Sequence, residues 1–142
     1  MANNIEGIVD EIHTILASTS KFTAIYKFAV SDIDVTPLAT IYWAGIDSYE
    51  PAETASRWAT YKFIIDMFFS MDDEKEWQDN QKDIVFATLD KFLDKPDLNM
   101  PAYVITQIRL SPVENDLVNL KKNVYAHSTF SLFAQCFEEA TT

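Results

Sequence analysis

Two histidines, one cysteine and two glycines limit the chemistry open to this chain. Neither G-x-G-x-x-G nor G-x-x-x-x-G-K-[ST] can be written around Gly7 and Gly45, so no glycine-rich loop of backbone amides can wrap a nucleotide phosphate. His127 and Ser128 are adjacent, yet no G-x-S-x-G elbow surrounds them, and neighbours on a strand point to opposite faces. They read as ordinary strand positions. Activating Cys136 would require a nearby base or positive charge, whereas Gln135, Phe137, Glu138 and Glu139 offer the reverse. It reads as a packing thiol. His13 borders an apolar helix stripe, one turn beyond Val9, and reads as a boundary residue. Two carboxylate groups have metal-like spacing, Asp32-Ile33-Asp34 and Asp72-Asp73-Glu74. The first has no third ligand in view, and the second places acid where a helix start is positive. With a single cysteine, neither an internal disulfide nor a thiolate-imidazole zinc cluster can form. The expectation is a chain with no catalytic residues, no cofactor, no metal and no enzymatic activity.

The elements follow from hydrophobic periodicity. Ile5, Ile8, Val9, Ile12, Ile15 and Leu16 recur at three- and four-residue steps, predicting an amphipathic helix over 4–18 with Asn3 or Asn4 as its cap. Phe22, Ala24, Tyr26 and Phe28 alternate with Thr23, Ile25 and Lys27 in a short strand. Pro37 introduces a second strand, Leu38 to Ala44, closed by Gly45. From Ile46 to Arg57 the residues Asp47, Ser48, Glu50, Pro51, Glu53 and Ser56 predict a loop long enough to project. The strongest strand pattern runs from Trp58 to Phe69, with Tyr61, Phe63, Ile65, Met67 and Phe69 on one face. Trp77, Ile84, Val85, Thr88, Leu89 and Phe92 form the stripe of a helix over 73–94, ended by Pro96. Tyr103 to Leu110 and Val124 to Phe137 complete the strands. Between them, Ser111 to Lys122, with Pro112 and Asn115-Asp116, reads as a turn-rich connection.

This order predicts an α+β fold: a mixed or antiparallel β-sheet of about four to five strands with two main helices packed on it. At 142 residues with 48% hydrophobic and 23% charged side chains, one folded domain over 1–142 is expected. No apolar run reaches the roughly 18 residues of a membrane helix, and Met1 to Glu6 lacks a basic leader. No membrane partner is expected. Twenty-two acidic against 11 basic side chains give a net charge of −11, which repels the phosphate backbone unless a basic patch forms. Lys121-Lys122 is too short to be one.

Apolar residues occur on both faces of the strands. Opposite the core face of the longest strand lie Ile64 and Phe68, and the last strand carries Tyr125, Phe133 and Phe137 opposite Phe130 and Leu132. Either a helix covers each face of the sheet, or one apolar face contacts another subunit. Ile64, Phe68, Phe133 and Phe137 are therefore candidate interface residues. Asp47, Glu50 and Glu53 join them on the projecting loop. A second class of function would use Tyr26, Tyr42, Trp43 and Tyr61 to line a pocket in a small-ligand-binding or enzymatic domain.

Four segments carry a resemblance that spans about residues 4–138: the opening amphipathic helix; Thr36-Pro37-Leu38-Ala39-Thr40-Ile41; Arg57-Trp58-Ala59-Thr60-Tyr61-Lys62-Phe63-Ile64-Ile65; and the helix from Asp83 to Leu93. Ile108-Arg109-Leu110-Ser111-Pro112-Val113, leading through Asn123-Val124-Tyr125-Ala126 into the last strand, adds to it. In order and spelling the chain resembles the tail terminator and tail completion proteins of long-tailed bacteriophages. The resemblance implies a structural virion protein of tail or neck, assembled in the host cytoplasm as a homo-oligomeric ring, usually of six copies. Such a ring ends the tail tube, meets the tube protein on one side and the head connector or neck protein on the other, and lets DNA pass through its lumen without specific binding. The two glycines are sparse for that family.

Overall fold

The computed structural model describes residues 4–51, 56–72, 75–98, 100, 105–121 and 123–139. Its elements are α1 (Ile5–Ser18), β1 (Ala24–Tyr26), β2 (Leu38–Pro51), β3 (Ser56–Ser70), α2 (Trp77–Leu93), β4 (Ile105–Leu110), β5 (Glu114–Leu120) and β6 (Asn123–Glu139). The fold is α+β, with a mixed sheet of six strands in the order β1-β2-β3-β6-β4 and β5 also on β6. Only β1 to β2 is parallel; every other pairing is antiparallel. β4 and β5 run end to end along the same side of β6. The break between them holds Pro112, and there Ser111 donates its N–H to the Ser131 carbonyl while its Oγ accepts the Ser131 N–H.

Two segments differ from their sequence-based reading. The stretch from Ile46 to Arg57 is strand at both of its ends, and residues 52–55 lie outside the described residues. β2 runs on to Pro51 and β3 begins at Ser56, so Asp47 and Glu50 are strand residues; Glu53 lies outside the described residues. Pairing of β3 with β6 as far as Ser56↔Glu139 gives this hairpin a third strand to lean on, which outweighs the weak strand preference of Asp, Ser, Glu and Pro. The second segment is the turn-rich connection, which contains β5, laid along β6 from Glu114↔Thr129 to Leu120↔Asn123.

Both helices lie on one face of the sheet. α1 turns Ile8, Ile12, Ile15 and Leu16 inward and packs on β1, β2 and α2; α2 adds Ile84, Val85, Thr88 and Phe92. A lone helix as short as α1 is marginal in water, and Asn4 at its N-cap makes no side-chain capping bond. Burial of these side chains, roughly 1.5–3 kcal/mol each, holds it instead. The sheet supplies Ala39, Ile41, Tyr61, Phe63, Ile65, Met67, Phe130, Leu132 and Ala134 to the same core. Gln81 pins α2 to the sheet, donating from Nε2 to Ser128 Oγ at 2.8 Å, and that hydroxyl donates to Asn115 Oδ1.

Candidate functional site

Among the described residues, the sheet face opposite the helices is covered at one end only. There the segment from β1 to β2 folds over it, placing Ile33 against Leu38 and Phe68, with Val30, Val35, Val118, Leu120 and Tyr125 around them. Phe68 is therefore buried inside the chain, 8% exposed, where the sequence had placed it outward. A helix on each face is likewise not what the chain builds. At the other end of this face Ile64, Phe133 and Phe137 share the open surface of β3 and β6. Trp58 stands edge-on to Phe137, ring centroids 5.1 Å apart, and Arg109 and Lys62 lie over the Phe133 ring at 4.2 and 6.0 Å.

The border between the covered and open ends is marked by His127. Its Nε2 is 2.8 Å from Asp66 Oδ1 and its Nδ1 is 2.7 Å from Asp116 Oδ1. A carboxylate on each nitrogen favours the doubly protonated ring, in which both nitrogens donate. Burial opposes that charge, but the hydrogen bonds to Asp66 and Asp116, and then their negative charge, outweigh it and raise the His127 pKa. Ser128 points to the other face, bonded to Gln81 and Asn115. The neighbouring pair thus forms no nucleophile and base. Nearby, burial and then the Asp66 carboxylate raise the Tyr42 phenol pKa.

On the helix-bearing face the β2–β3 hairpin is anchored by Glu138, a buried carboxylate. Its Oε1 accepts the Tyr61 hydroxyl at 2.6 Å, and its Oε2 accepts Arg57 Nε at 2.8 Å together with Arg57 Nη2. Arg57 Nη1 also donates to the Tyr49 hydroxyl at 2.9 Å. Burial, followed by the bond to Glu138, pushes the Tyr61 pKa up to about 12. Burial, with Glu138 adding to it, also pushes the Cys136 thiol up to about 12, which leaves it un-ionised near neutrality.

The four aromatics that would line a pocket are divided between the faces. Tyr61 and Trp43 lie on the helix side, whereas Tyr42, opposite Ile64, and Tyr26, opposite Thr40, lie on the other. His13 is half-buried on α1. Asp32 pairs with Lys121, 2.9 Å away, and Asp34 accepts the Tyr26 hydroxyl at 3.4 Å. Asp73 and Glu74 lie outside the described residues, and α2 starts beyond them at Trp77. Among the described residues no group of three or more His, Cys, Asp or Glu is placed to hold a metal, and no helix is long and apolar enough to cross a membrane.

One feature was hidden from sequence reasoning by two bulges. β2 shifts register between Trp43 and Gly45 and again between Ile46 and Ser48, so Trp43, Ile46 and Tyr49 face the same way, opposite Phe63, Tyr61 and Ala59. Simple alternation would have put Ile46 on the other face from Trp43 and Tyr49. All three side chains are about half exposed.

No family model matches the chain, and neither does any curated protein. Among solved structures, a chain from one described as "Virion of native gene transfer agent (GTA) particle" superposes with a TM-score of 0.58 at 14% identity, over 94% of this chain and 99% of that one. At that identity the likeness establishes a common fold.

Proposed function

We propose that this chain is a structural virion protein, a single tail-terminator-like domain whose copies form a ring, of six by preference, that ends the tail tube and joins it to the head connector. One observation carries the reading. Both helices sit on one face of the sheet, and among the described residues the opposite face, with Ile64, Phe133, Phe137 and Trp58, has no layer of its own over much of its length. A surface of that kind is the usual mark of a subunit contact. The fold shared with a chain of a gene transfer agent virion supports a place in a phage-like particle, assembled in the host cytoplasm. The role is non-enzymatic: the imidazole is held between two carboxylates and the thiol is buried.

Native mass measurement, alone and with assembled tail tubes, tests the proposal. A ring of six, or a ring seated on the tube end in electron micrographs, is the expected result. A chain that stays monomeric and never adds to tubes overturns it.

A further inference from the structure

Among the described residues the sheet has two edges that no full-length strand covers, and they lie at the same level. Beyond its short pairing with β1, β2 has no strand on its outer side among the described residues, and on the far side of the sheet β4 is the last strand. The registers connect them row by row on the helix-bearing face. Trp43 continues through Phe63 and Leu132 to Leu110, and Ile46 through Tyr61 and Ala134 to Ile108. Tyr49 continues through Ala59 and Cys136 to Ile105. Each row begins in a half-exposed apolar side chain on β2. Next to β4 lies a groove of about 260 Å³ lined by Phe92, Leu93, Pro96, Ile108 and Leu110, with Leu93 72% exposed.

We propose that the free edge of β2 in one copy, led by Trp43, Ile46 and Tyr49, docks against the β4 edge and its groove in the next copy. This deepens the ring reading and rests on it. Direction permits the contact, because β2, β3, β6 and β4 alternate, so a neighbouring β2 in the same orientation meets β4 antiparallel. Charge favours it over a two-fold pairing of β2 with itself. On the opposite face Asp47 and Glu50 make the β2 edge acidic, whereas Arg109 of β4 turns inward over Phe133 and lines one shallow pocket with Asp47 of its own copy. Pairing β2 with β2 would set the acids of two copies face to face, which a head-to-tail contact with β4 avoids. A head-to-tail contact between unlike surfaces is also the kind that closes rings. Side chains carry the contact rather than a full ladder, since the Ile108 N–H already donates to the Pro96 carbonyl at 3.0 Å and β2 is twice bulged.

The test is disulfide trapping in the full chain carrying Ile46→Cys and Leu93→Cys together, with the native Cys136 fully buried and unreactive. The expected product under oxidation is a ladder of linked species ending at the ring, absent from either single variant. A second readout is Trp43→Asp, which removes the leading apolar side chain of the β2 edge and should shift the native mass toward monomer. Linkage by Ile46→Cys alone would show β2 edges meeting two-fold and overturn the proposal. A ring seen by native mass without the ladder, or one that Trp43→Asp leaves unchanged, would overturn it too, while leaving the ring reading intact. Absence of both ring and ladder, with tubes added, would overturn the two together.

Discussion

The ring of Phe68 lies nearly flat on the imidazole of His127, centroids 4.9 Å apart and planes 21° from parallel. One face of Phe68 is thereby occupied by an imidazole of its own chain, and Ile33 and Leu38 pack against the rest. Phe68→Asp should therefore destabilise the isolated protein by about 3 kcal/mol or more, as removal of a buried aromatic does. Phe133→Asp, on the open end of the same face, should leave the chemical denaturation midpoint nearly unchanged while impairing assembly. Equal loss of stability in the two variants would mean that both side chains belong to the core.

His127 itself should make stability depend on pH. Its pKa is raised in the folded chain above the ordinary 6.5. Its contribution is then complete below pH 6.5 and fades as pH climbs through the raised folded value. His127→Asn should flatten that segment of the stability curve and cost about 1–3 kcal/mol at the lower pH, because Asp66 loses its charged donor. Imidazole titration by NMR is the direct check; a folded pKa below 6.5 would contradict the two-carboxylate geometry.

Much of this architecture was legible in the sequence because its cause is local. The three-and-four spacing from Ile5 to Leu16 and the alternation from Tyr61 to Phe69 each report a face that is in fact buried. Where the cause is remote, the sequence misleads. Asp47, Ser48 and Glu50 carry loop chemistry, and only the neighbouring β3, itself backed by β6, makes them a strand. Glu114, Asn115, Asp116 and Asn119 hide β5 in the same way, since its partner is β6 and the turn between them passes through Lys121 at φ 55. Of the candidate interface residues, Ile64, Phe133 and Phe137 lie on the open face as alternation predicts. Phe68 does not, because no local pattern announces that residues 27–37 fold back over it.

Glu138 should be the most sensitive polar position of the hairpin. It is 3% exposed and receives bonds from Tyr61 and Arg57, so removing it strands a phenol and a guanidinium together. Glu138→Ala should cost about 3 kcal/mol, the usual result of breaking a buried pair from one side. Glu138→Gln, which keeps an acceptor, should cost less. Urea denaturation of the two variants decides it, and equal, negligible losses would mean that water replaces the lost carboxylate.

The last expectation concerns DNA. A chain of net charge −11 multiplies its negative charge in any ring, yet screening over about 8 Å at physiological salt means that only groups near a passing duplex count. The local distribution of basic groups therefore matters more than the total. Arg57 is bound to Glu138, Lys27 to Asp10, Lys82 to Asp79 and Lys121 to Asp32, so each of these cations is matched by an acid of its own chain. Lys62 and Arg109 flank Phe133 on the open face, with Asp47 lining the same shallow pocket as Arg109. Set among 22 acidic side chains in each copy, these two cations do not form a basic patch, and the slope of log affinity against log salt is only about 0.9 for each phosphate neutralised. The proposed ring should thus bind duplex DNA weakly at physiological salt and with little salt dependence, as the proposed passage of DNA through it requires. Tight binding that falls steeply as salt rises, measured by fluorescence anisotropy on the assembled ring, would reveal a basic lumen and refute this.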